Sequence, residues 1–251
     1  MVVKLPTGED LDGMRAVGRA VAGTIEQMSC ALRPGITTLQ LDVIGRQALA
    51  ASGARSAPEL VYGFPAATCV SVNDEAAHGI PGDREVRDGD LVNIDVSAEL
   101  GGYYADAGAS FPVGAVAPAS QQLCDAAQEA LREALRVVRP GKLVNAVGRA
   151  VEKVARRRGF QVIRNLCGHG VGRSLHEDPR TLLNYYEPRD RRRFEEGMVL
   201  TVEPFLSTSA DRALEGEDGW TLRTADGGLA AQYEHTVVVT HEGVELLTAL
   251  L

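Results

Sequence analysis

Four carboxylates stand in runs of residues that otherwise predict β-strands. Asp95 lies in the run that begins at Leu91, and Asp106 lies in the next one. Glu203 and Glu234 occupy comparable places in two later β-branched runs. A solvated strand face explains any one of these acids, but it explains all four poorly. Like charges on neighbouring strands destabilise a sheet unless a proton or a cation lies between them, so we predict a shared acidic centre.

The spacing of the first two acids suggests how their strands pair. A two-residue turn at Leu100-Gly101 would pair residues whose numbers sum to 201, which places Asp95 directly opposite Asp106. Cross-strand neighbours have Cβ atoms about 4.5–5.5 Å apart. We therefore expect these two carboxylates to be cross-strand neighbours.

The segment GHGVGRSLHEDP (168–179) holds two of the five histidines of the chain. We predict that His169 joins the carboxylates, with Gly168, Gly170 and Gly172 letting the backbone pass close to a metal or adopt positive φ. A phosphate-binding loop is disfavoured, because the glycine spacing differs from G-x-G-x-x-G, no Walker lysine follows and no helix clearly begins there.

Four carboxylates and one imidazole form an oxygen-rich donor set. Such a set suits two divalent ions about 3.5–4 Å apart. Hard oxygen donors favour Mn²⁺, Fe²⁺ or Co²⁺, with Zn²⁺ also acceptable, whereas the chain lacks the cysteine spacing of a thiolate zinc site.

An internal repeat predicts the elements that position these residues. ALRPG (31–35) and VVRPG (137–141) each follow one helical pattern and precede another. An Ile/Val-Gly-Arg step recurs in the second helix of each half, at 44–46 and 147–149. Pro-Gly is a fitting end for a helix.

The repeat continues into the strands. In each half an acid-glycine pair precedes a strand-like run, and a carboxylate follows six residues after the glycine, at Asp95 and at Glu203. We therefore predict an α+β chain with two similar halves, about 10–112 and 117–240. Their antiparallel strands would carry helices on the outer face and be related by a pseudo-twofold axis.

The composition limits the classes of protein to which this chain can belong. The net charge of −8 argues against nucleic acid or an anionic membrane as the main partner. The 251 residues are 45% hydrophobic and contain neither a secretory leader nor a membrane-spanning run, so we expect a single domain over 1–251. The four cysteines show no CxxC spacing and are interpreted as reduced thiols of a cytoplasmic protein.

In order and spacing, these motifs resemble those of type I methionine aminopeptidases over essentially the whole chain. The resemblance implies the duplicated pita-bread fold and hydrolytic removal of the N-terminal methionine from nascent polypeptides. It also implies a monomer in transient contact with ribosomes. The motifs that carry it are SVNDEAAHGIP, DGDLVNIDV, Asp106, GHGVGRSLHE, TVEPFLS, EDGWTLRT and QYEHTVVVT.

The resemblance also implies a ligand for each of two metal ions. Asp106 and Glu234 would bridge both ions. Asp95 would complete one coordination shell, and His169 with Glu203 would complete the other.

Catalytic roles follow from the same resemblance. A hydroxide between the metals would attack the carbonyl after the first residue, and Glu203 would carry a proton to the leaving amine. His176 would hydrogen-bond the carbonyl oxygen or the gem-diolate formed from it. His78 would contact the substrate amide, although from the sequence alone both histidines are ordinary loop residues.

Phe64, Cys69 and Trp220 match positions that line the methionine side-chain pocket. Plain core packing is a competing interpretation, for Cys69 above all. A crowded site beyond this pocket would favour a small second residue in the substrate.

Three departures from the family pattern affect the predicted site. Ala107-Gly108 stands where Thr-Ser is usual, which would remove a hydroxyl near Asp106. Leu175 replaces a common phenylalanine, and Val61 stands where a pocket tyrosine often lies.

Two other functions remain open at this point. An Xaa-Pro aminopeptidase or prolidase shares the fold and the metal set, but such enzymes usually carry an additional N-terminal domain. A catalytically inactive binding module is disfavoured, because such proteins lose ligands and here all five are present.

Overall fold

Residues 8–249 are described by a computed structural model of the protein. The predicted domain extends over 1–251, so its two ends lie outside the described residues. The helices are α1 (Gly8–Ala31), α2 (Thr38–Ala51), α3 (Ala57–Tyr62), α4 (Pro118–Val137) and α5 (Asn145–Arg158). The strands are β1 (Arg55–Ser56), β2 (Cys69–Val72), β3 (Glu75–Ala77), β4 (Leu91–Leu100), β5 (Tyr103–Pro112), β6 (Gln161–Val162), β7 (Cys167–Gly170), β8 (Glu177–Leu183), β9 (Val199–Val202), β10 (Phe205–Ser207), β11 (Ala213–Glu215), β12 (Leu222–Thr224), β13 (Ala230–Gln232), β14 (His235–Thr240) and β15 (Gly243–Leu246).

The predicted helix pairs form in both halves. Helices α1 and α4 each end two residues before an Arg-Pro-Gly triplet, at Ala31 and at Val137. Helix α2 begins with a capping box, in which Thr37 and Gln40 satisfy each other's backbone N–H groups. Helix α5 ends at Gly159 in the left-handed conformation, with φ of 80°. Local sequence signals therefore account for the start of α2 and the end of α5.

Backbone hydrogen bonds confirm that the halves are structural repeats. In each half, the glycine after Arg-Pro donates to a residue shortly before the central strand. The glycine before that strand donates to the end of a neighbouring strand. All four bonds measure 2.8 Å, and the equivalent pairs are Gly35–Val86 with Gly141–Phe194, and Gly89–Val113 with Gly197–Val239.

Two antiparallel sheets carry the helices on their outer faces. In the first sheet β4 is flanked by β5 on one edge and by β1 and β2 on the other. The second has the order β15-β14-β9-β7-β8. One apolar cluster joins α1 and α2 to the first sheet, and another joins α4 and α5 to the second. The predicted α+β class is confirmed.

The predicted register of β4 and β5 is wrong by two residues. The turn is Gly101-Gly102, so Asp95 lies opposite Gly108 and Asp106 lies opposite Ser97. Both turn glycines have positive φ, 61° and 83°, and a leucine at the first position would be strained there. Because a shift of two preserves the alternation of a strand, the two acids still lie on one face as diagonal neighbours.

The glycines of the repeated Ile/Val-Gly-Arg step are points of close approach. A Cβ at Gly45 in α2 would lie 2.7 Å from the sulfur of Met28 in α1. A Cβ at Gly148 in α5 would collide with the backbone oxygen of Tyr185. The recurring glycine therefore lets the second helix of each half pack closely against its neighbours.

Gly148→Ala is expected to lower the free energy of unfolding by about 1–3 kcal/mol, because the new methyl group meets backbone that must move. Gly23→Ala is the matched control, since nothing lies within 4 Å of its Cβ position inside α1. The control should gain up to about 1 kcal/mol from helix propensity. Urea unfolding followed by circular dichroism measures both, and a stabilised Gly148→Ala would contradict the packing described.

Candidate metal centre

The five predicted metal-binding side chains line one cavity of about 440 Å³. Asp95 and Asp106 project from β4 and β5, and His169 projects from β7. Glu203 directly follows β9 and Glu234 directly precedes β14. Since His235 pairs with Val202, the same register brings the two glutamates opposite each other. Each half of the chain thus contributes one pair of acids to the cavity.

Three of these residues lie especially close together. Asp106, His169 and Glu234 each offer one donor atom, and these atoms all lie within 4.8 Å of one another. His169 Nε2 lies 3.9 Å from Asp106 Oδ2 and 3.7 Å from Glu203 Oε1. All four side chains are buried, and Asp95 beside them is half-buried.

The tautomer of His169 follows from its neighbours. Its Nδ1 lies 3.0 Å from the carbonyl oxygen of Gly170, which only accepts, so Nδ1 carries the proton. The lone pair of Nε2 then faces the carboxylates. Burial, followed by the nearby His176 and His78, lowers the pKa of His169 to about 3. A neutral imidazole held through Nδ1–H is the usual form of a metal-binding histidine.

Burial and mutual repulsion raise the pKa values of the carboxyl groups. Burial, then Asp106 and Glu203, holds the pKa of Asp95 well above its ordinary value. Burial raises the pKa of Asp106 to about 6. For Glu203 and Glu234 burial is again the largest cause of a raised pKa, followed by repulsion from Asp106. Ionised, the cluster therefore needs a positive partner.

Two buried carboxylate oxygens show whether the site can accommodate a cation. Asp106 Oδ1 and Glu234 Oε1 are buried and accept no hydrogen bond from any residue in the described range. Buried acceptors normally have a donor, and the neighbouring His169 presents a lone pair instead. Hard oxygen atoms and one imidazole nitrogen converging on one point fit divalent cations.

Several supporting residues were not predicted from the sequence. Thr201 Oγ1 donates to Glu203 Oε1 at 2.8 Å and accepts from the backbone N–H of His169 at 2.9 Å. Gln232 Nε2 donates to Glu234 Oε2 at 2.9 Å. Each supporting residue lies two positions before its glutamate, and this spacing is a signal that sequence analysis could have used.

The Ala107-Gly108 departure has a structural counterpart. A Cβ at Gly108 would collide with the side-chain amide of Gln232, which occupies that space. Asn93 Nδ2 donates to Gln232 Oε1 at 2.8 Å and orients the amide towards Glu234. Thr236 Oγ1 bonds the backbone of Asp106 on both sides, accepting from its N–H and donating to its carbonyl oxygen. The support around these acids is therefore supplied partly from the second half of the chain.

One of the two roles predicted for the glycines beside His169, a backbone with positive φ, is absent. None of Gly168, Gly170 and Gly172 has positive φ. A Cβ at Gly168 would collide with the backbone oxygen of Thr201, and one at Gly170 would lie 2.5 Å from that of Asp178. These two glycines allow neighbouring strands to approach β7 closely, and no helix begins in the segment.

Two further histidines line the cavity. The ring of His176 stacks on that of His169 with centroids 3.8 Å apart. Its Nδ1 lies 2.7 Å from the hydroxyl oxygen of Tyr62. His78 has a left-handed backbone, φ 54°, and is accessible from the cavity. Burial within the surrounding protein lowers the pKa of both rings, so both are neutral near pH 7.

An apolar pocket adjoins the acidic cluster. Phe64, Ala66 and Cys69 form a buried cluster against which Trp220 packs. The Phe64 and Trp220 rings meet edge to face at 5.2 Å. Burial, followed by repulsion from Asp95, raises the pKa of the Cys69 thiol well above its ordinary value. The thiol therefore stays protonated and presents an uncharged, polarisable sulfur to the pocket.

The two remaining departures from the family pattern behave differently. Leu175 is buried and lines the cavity. Val61 is 42% exposed and does not line the cavity. The next residue of the same helix, Tyr62, lines it instead.

Comparison with known proteins gives consistent likenesses. The profile of metallopeptidase family M24 matches residues 12–241. Methionine aminopeptidase 2 of Bacillus subtilis (strain 168) is 47% identical over 243 residues, which cover 96% of this chain and 98% of that protein. The crystal structure of methionine aminopeptidase from Thermotoga maritima has a TM-score of 0.96 and 34% identity, and the match covers 100% of both chains.

A more distant likeness concerns the fold alone. Prolidase from Pyrococcus furiosus has a TM-score of 0.78 at 19% identity, covering 98% of this chain and 66% of that one. The predicted pita-bread fold is confirmed by these structures. Within residues 8–249, no helix combines the length and apolar character needed to span a membrane.

The raised carboxyl pKa values predict how stability depends on pH. A carboxyl whose pKa is higher in the folded than in the unfolded state stabilises the fold while protonated, and this contribution is lost as pH rises. Above about pH 7 the histidines are mostly neutral in both states, and below about pH 8 the thiols are mostly protonated in both, so the carboxyls dominate between these limits. The metal-free protein should then lose stability as pH rises, by up to about 1.4 kcal/mol per pH unit for each carboxyl that is protonated in the folded state and ionised in the unfolded state.

Thermal unfolding between about pH 7 and 8, with a chelator and then with Mn²⁺, measures this effect. Mn²⁺ should remove most of the loss, because a cation stabilises the ionised carboxylates. Asp95→Asn should flatten the pH dependence of the metal-free protein. A midpoint that does not change with pH would contradict the prediction.

Proposed function

Because the chain belongs to metallopeptidase family M24, and to the methionine aminopeptidases within it, we propose that it hydrolyses the bond after an N-terminal methionine. One observation carries the proposal: a single cavity combines the acidic cluster with the apolar pocket of Phe64, Cys69 and Trp220. The cluster supplies metal-assisted hydrolysis, and the pocket beside it matches an unbranched thioether side chain. Substrates would be nascent polypeptides with a small second residue.

We assign two divalent ions to the acidic cluster. The side chains that would hold them are those of Asp95, Asp106, His169, Glu203 and Glu234. The unpartnered oxygens of Asp106 and Glu234 and the free Nε2 of His169 support this assignment. The oxygen-rich set favours Mn²⁺, Fe²⁺ or Co²⁺, with Zn²⁺ acceptable. When bound, such ions polarise a carbonyl group and make water nucleophilic at neutral pH.

Glu203 is the proposed proton carrier. Thr201 holds its Oε1, and burial raises its pKa, so the carboxylate is suited to accept a proton in the cavity. The proton would come from the attacking water and pass to the leaving amine nitrogen. This role needs Glu203 to face both the water and the substrate.

His176 and His78 are the proposed substrate contacts. Nδ1 of His176 is engaged by Tyr62, which leaves Nε2 to donate to the carbonyl oxygen as negative charge develops there. His78 would contact the amide near the leaving nitrogen. Its left-handed backbone is held in place because Gly79 donates to Ser71 Oγ and accepts from Val70.

Domain organisation, oligomeric state and location follow from the same family resemblance. We propose a single catalytic domain over 1–251 that acts as a monomer in the cytoplasm, in transient contact with ribosomes. The family match over 12–241 supports a single domain, and the resemblance of the motifs is the support for the rest.

Glu203→Gln should reduce kcat for release of methionine from Met-Ala-Ser by about 10²–10⁴-fold, because it removes the proton carrier and weakens a ligand. Glu196→Gln is the control, since that side chain is 62% exposed and lies outside the cavity lining. Peptides are assayed by N-terminal sequencing after reconstitution with each candidate metal. Hydrolysis of Xaa-Pro peptides without Met-Ala cleavage would contradict the proposal, as would a wild-type chain that binds no divalent ion.

His176→Ala should lower kcat by about 10²-fold while metal content is retained, because only a donor to the carbonyl oxygen is removed. Metal analysis by mass spectrometry separates this from His169→Ala, which should lose bound metal. Loss of metal in His176→Ala would instead make it a ligand and contradict its proposed role.

A further inference from the structure

Tyr62 connects a short helix at the cavity mouth with the histidine that faces the substrate. Its hydroxyl oxygen lies 2.7 Å from Nδ1 of His176, and the two rings meet edge to face at 5.8 Å. The His176 ring also stacks on the ring of His169, with centroids 3.8 Å apart. One neighbour therefore limits tilting of the ring, and Tyr62 limits its rotation about χ2.

Helix α3 holds Tyr62 in place from both ends. Ser56 caps its start, accepting from Glu59 N–H and donating to the carbonyl oxygen of Ala67 at 2.9 Å. Gly63 follows Tyr62 in the left-handed conformation and ends the helix. The two oxygens of Glu59 accept from Arg46 of α2 at 2.7 and 3.0 Å. Tyr62 is thus held in place by its helix, although the residue is 47% exposed.

The chemistry of the pair determines where the proton of the imidazole lies. A phenol is a stronger donor than a neutral imidazole N–H, and an unprotonated imidazole nitrogen is a stronger acceptor than a phenol oxygen. The hydroxyl therefore donates to Nδ1, and the ring proton is on Nε2. Accepting at Nδ1 also strengthens Nε2–H as a donor. A substrate carbonyl oxygen only accepts, so it needs this tautomer.

We propose that Tyr62 is a positioning residue that fixes the tautomer and orientation of His176 for donation to the substrate carbonyl oxygen. This inference rests on the proposed function, in which His176 contacts that oxygen. The role is not predictable from the sequence motif, since the two residues are 114 positions apart.

Tyr62→Phe tests the proposal in two independent ways. In the metal-free protein labelled with ¹⁵N-histidine, the Nδ1 resonance of His176 should move towards that of an imidazole without a hydrogen bond. The chain has five histidines, and His176→Ala assigns the signal. In the metal-loaded protein kcat for Met-Ala-Ser should fall about tenfold with KM nearly unchanged, since tenfold corresponds to about 1.4 kcal/mol, the size of one net hydrogen bond.

Tyr186→Phe is the matched control. This substitution removes a phenol hydroxyl that lies outside the cavity lining. The Tyr186 ring packs under Arg149, whose Cζ lies 4.0 Å from the ring centroid. Neither measurement should change. The inference would be overturned if the wild-type spectrum showed His176 protonated at Nδ1. It would also be overturned if Tyr62→Phe left either the ¹⁵N resonance of His176 or kcat unchanged. Failure of the proposed function is distinguishable, because the wild type would then release no methionine while the metal-free spectra still report on the Tyr62–His176 bond.

Discussion

Mutual repulsion among four carboxylates at one centre is the constraint around which the molecule is arranged. A single acid of this kind could stay in contact with water. Here burial, together with repulsion among the acids at Asp95, Glu203 and Glu234, raises their pKa values. Two buried carboxylate oxygens also have no donor within the described residues. The adjacent His169 adds a lone pair and no positive charge. Once its carboxyls are ionised, the described part of the cluster presents only acceptors to the cavity, and a cation is the occupant that satisfies them. Folding stability and metal affinity are therefore linked properties of this chain.

The duplicated fold is what brings such a cluster together. Each half supplies one pair of acids from adjacent strands, while its helices cover the opposite face of the sheet. The backbone bonds that anchor each central strand are the same in both halves. Side chains on strands flanked by such anchors have little freedom to move apart. A rigid frame can therefore hold like charges near one another, where a flexible loop would separate them.

Much of this arrangement was predictable from residue types and spacing, and the failures have physical causes. The helices were predictable because their ends carry local signals, such as Gly159. The acids were predictable because a charge inside an apolar strand is unusual. The register failed because the turn depends on two residues with positive φ, and only Gly101-Gly102 satisfies both. The glycines beside His169, and the contact of Tyr62 with His176, depend on neighbours distant in the chain, which no local pattern reports.

The contact between Gly108 and Gln232 links the evolution of the two halves. The Gln232 amide fills the space where a side chain at residue 108 would lie, and it also bonds Glu234. A serine at residue 108 would first have to displace that amide, and so would disturb an acid from the other half. The effect of a change at either position thus depends on the residue present at the other. Epistasis of this kind means that the halves, although similar, cannot diverge independently where they meet.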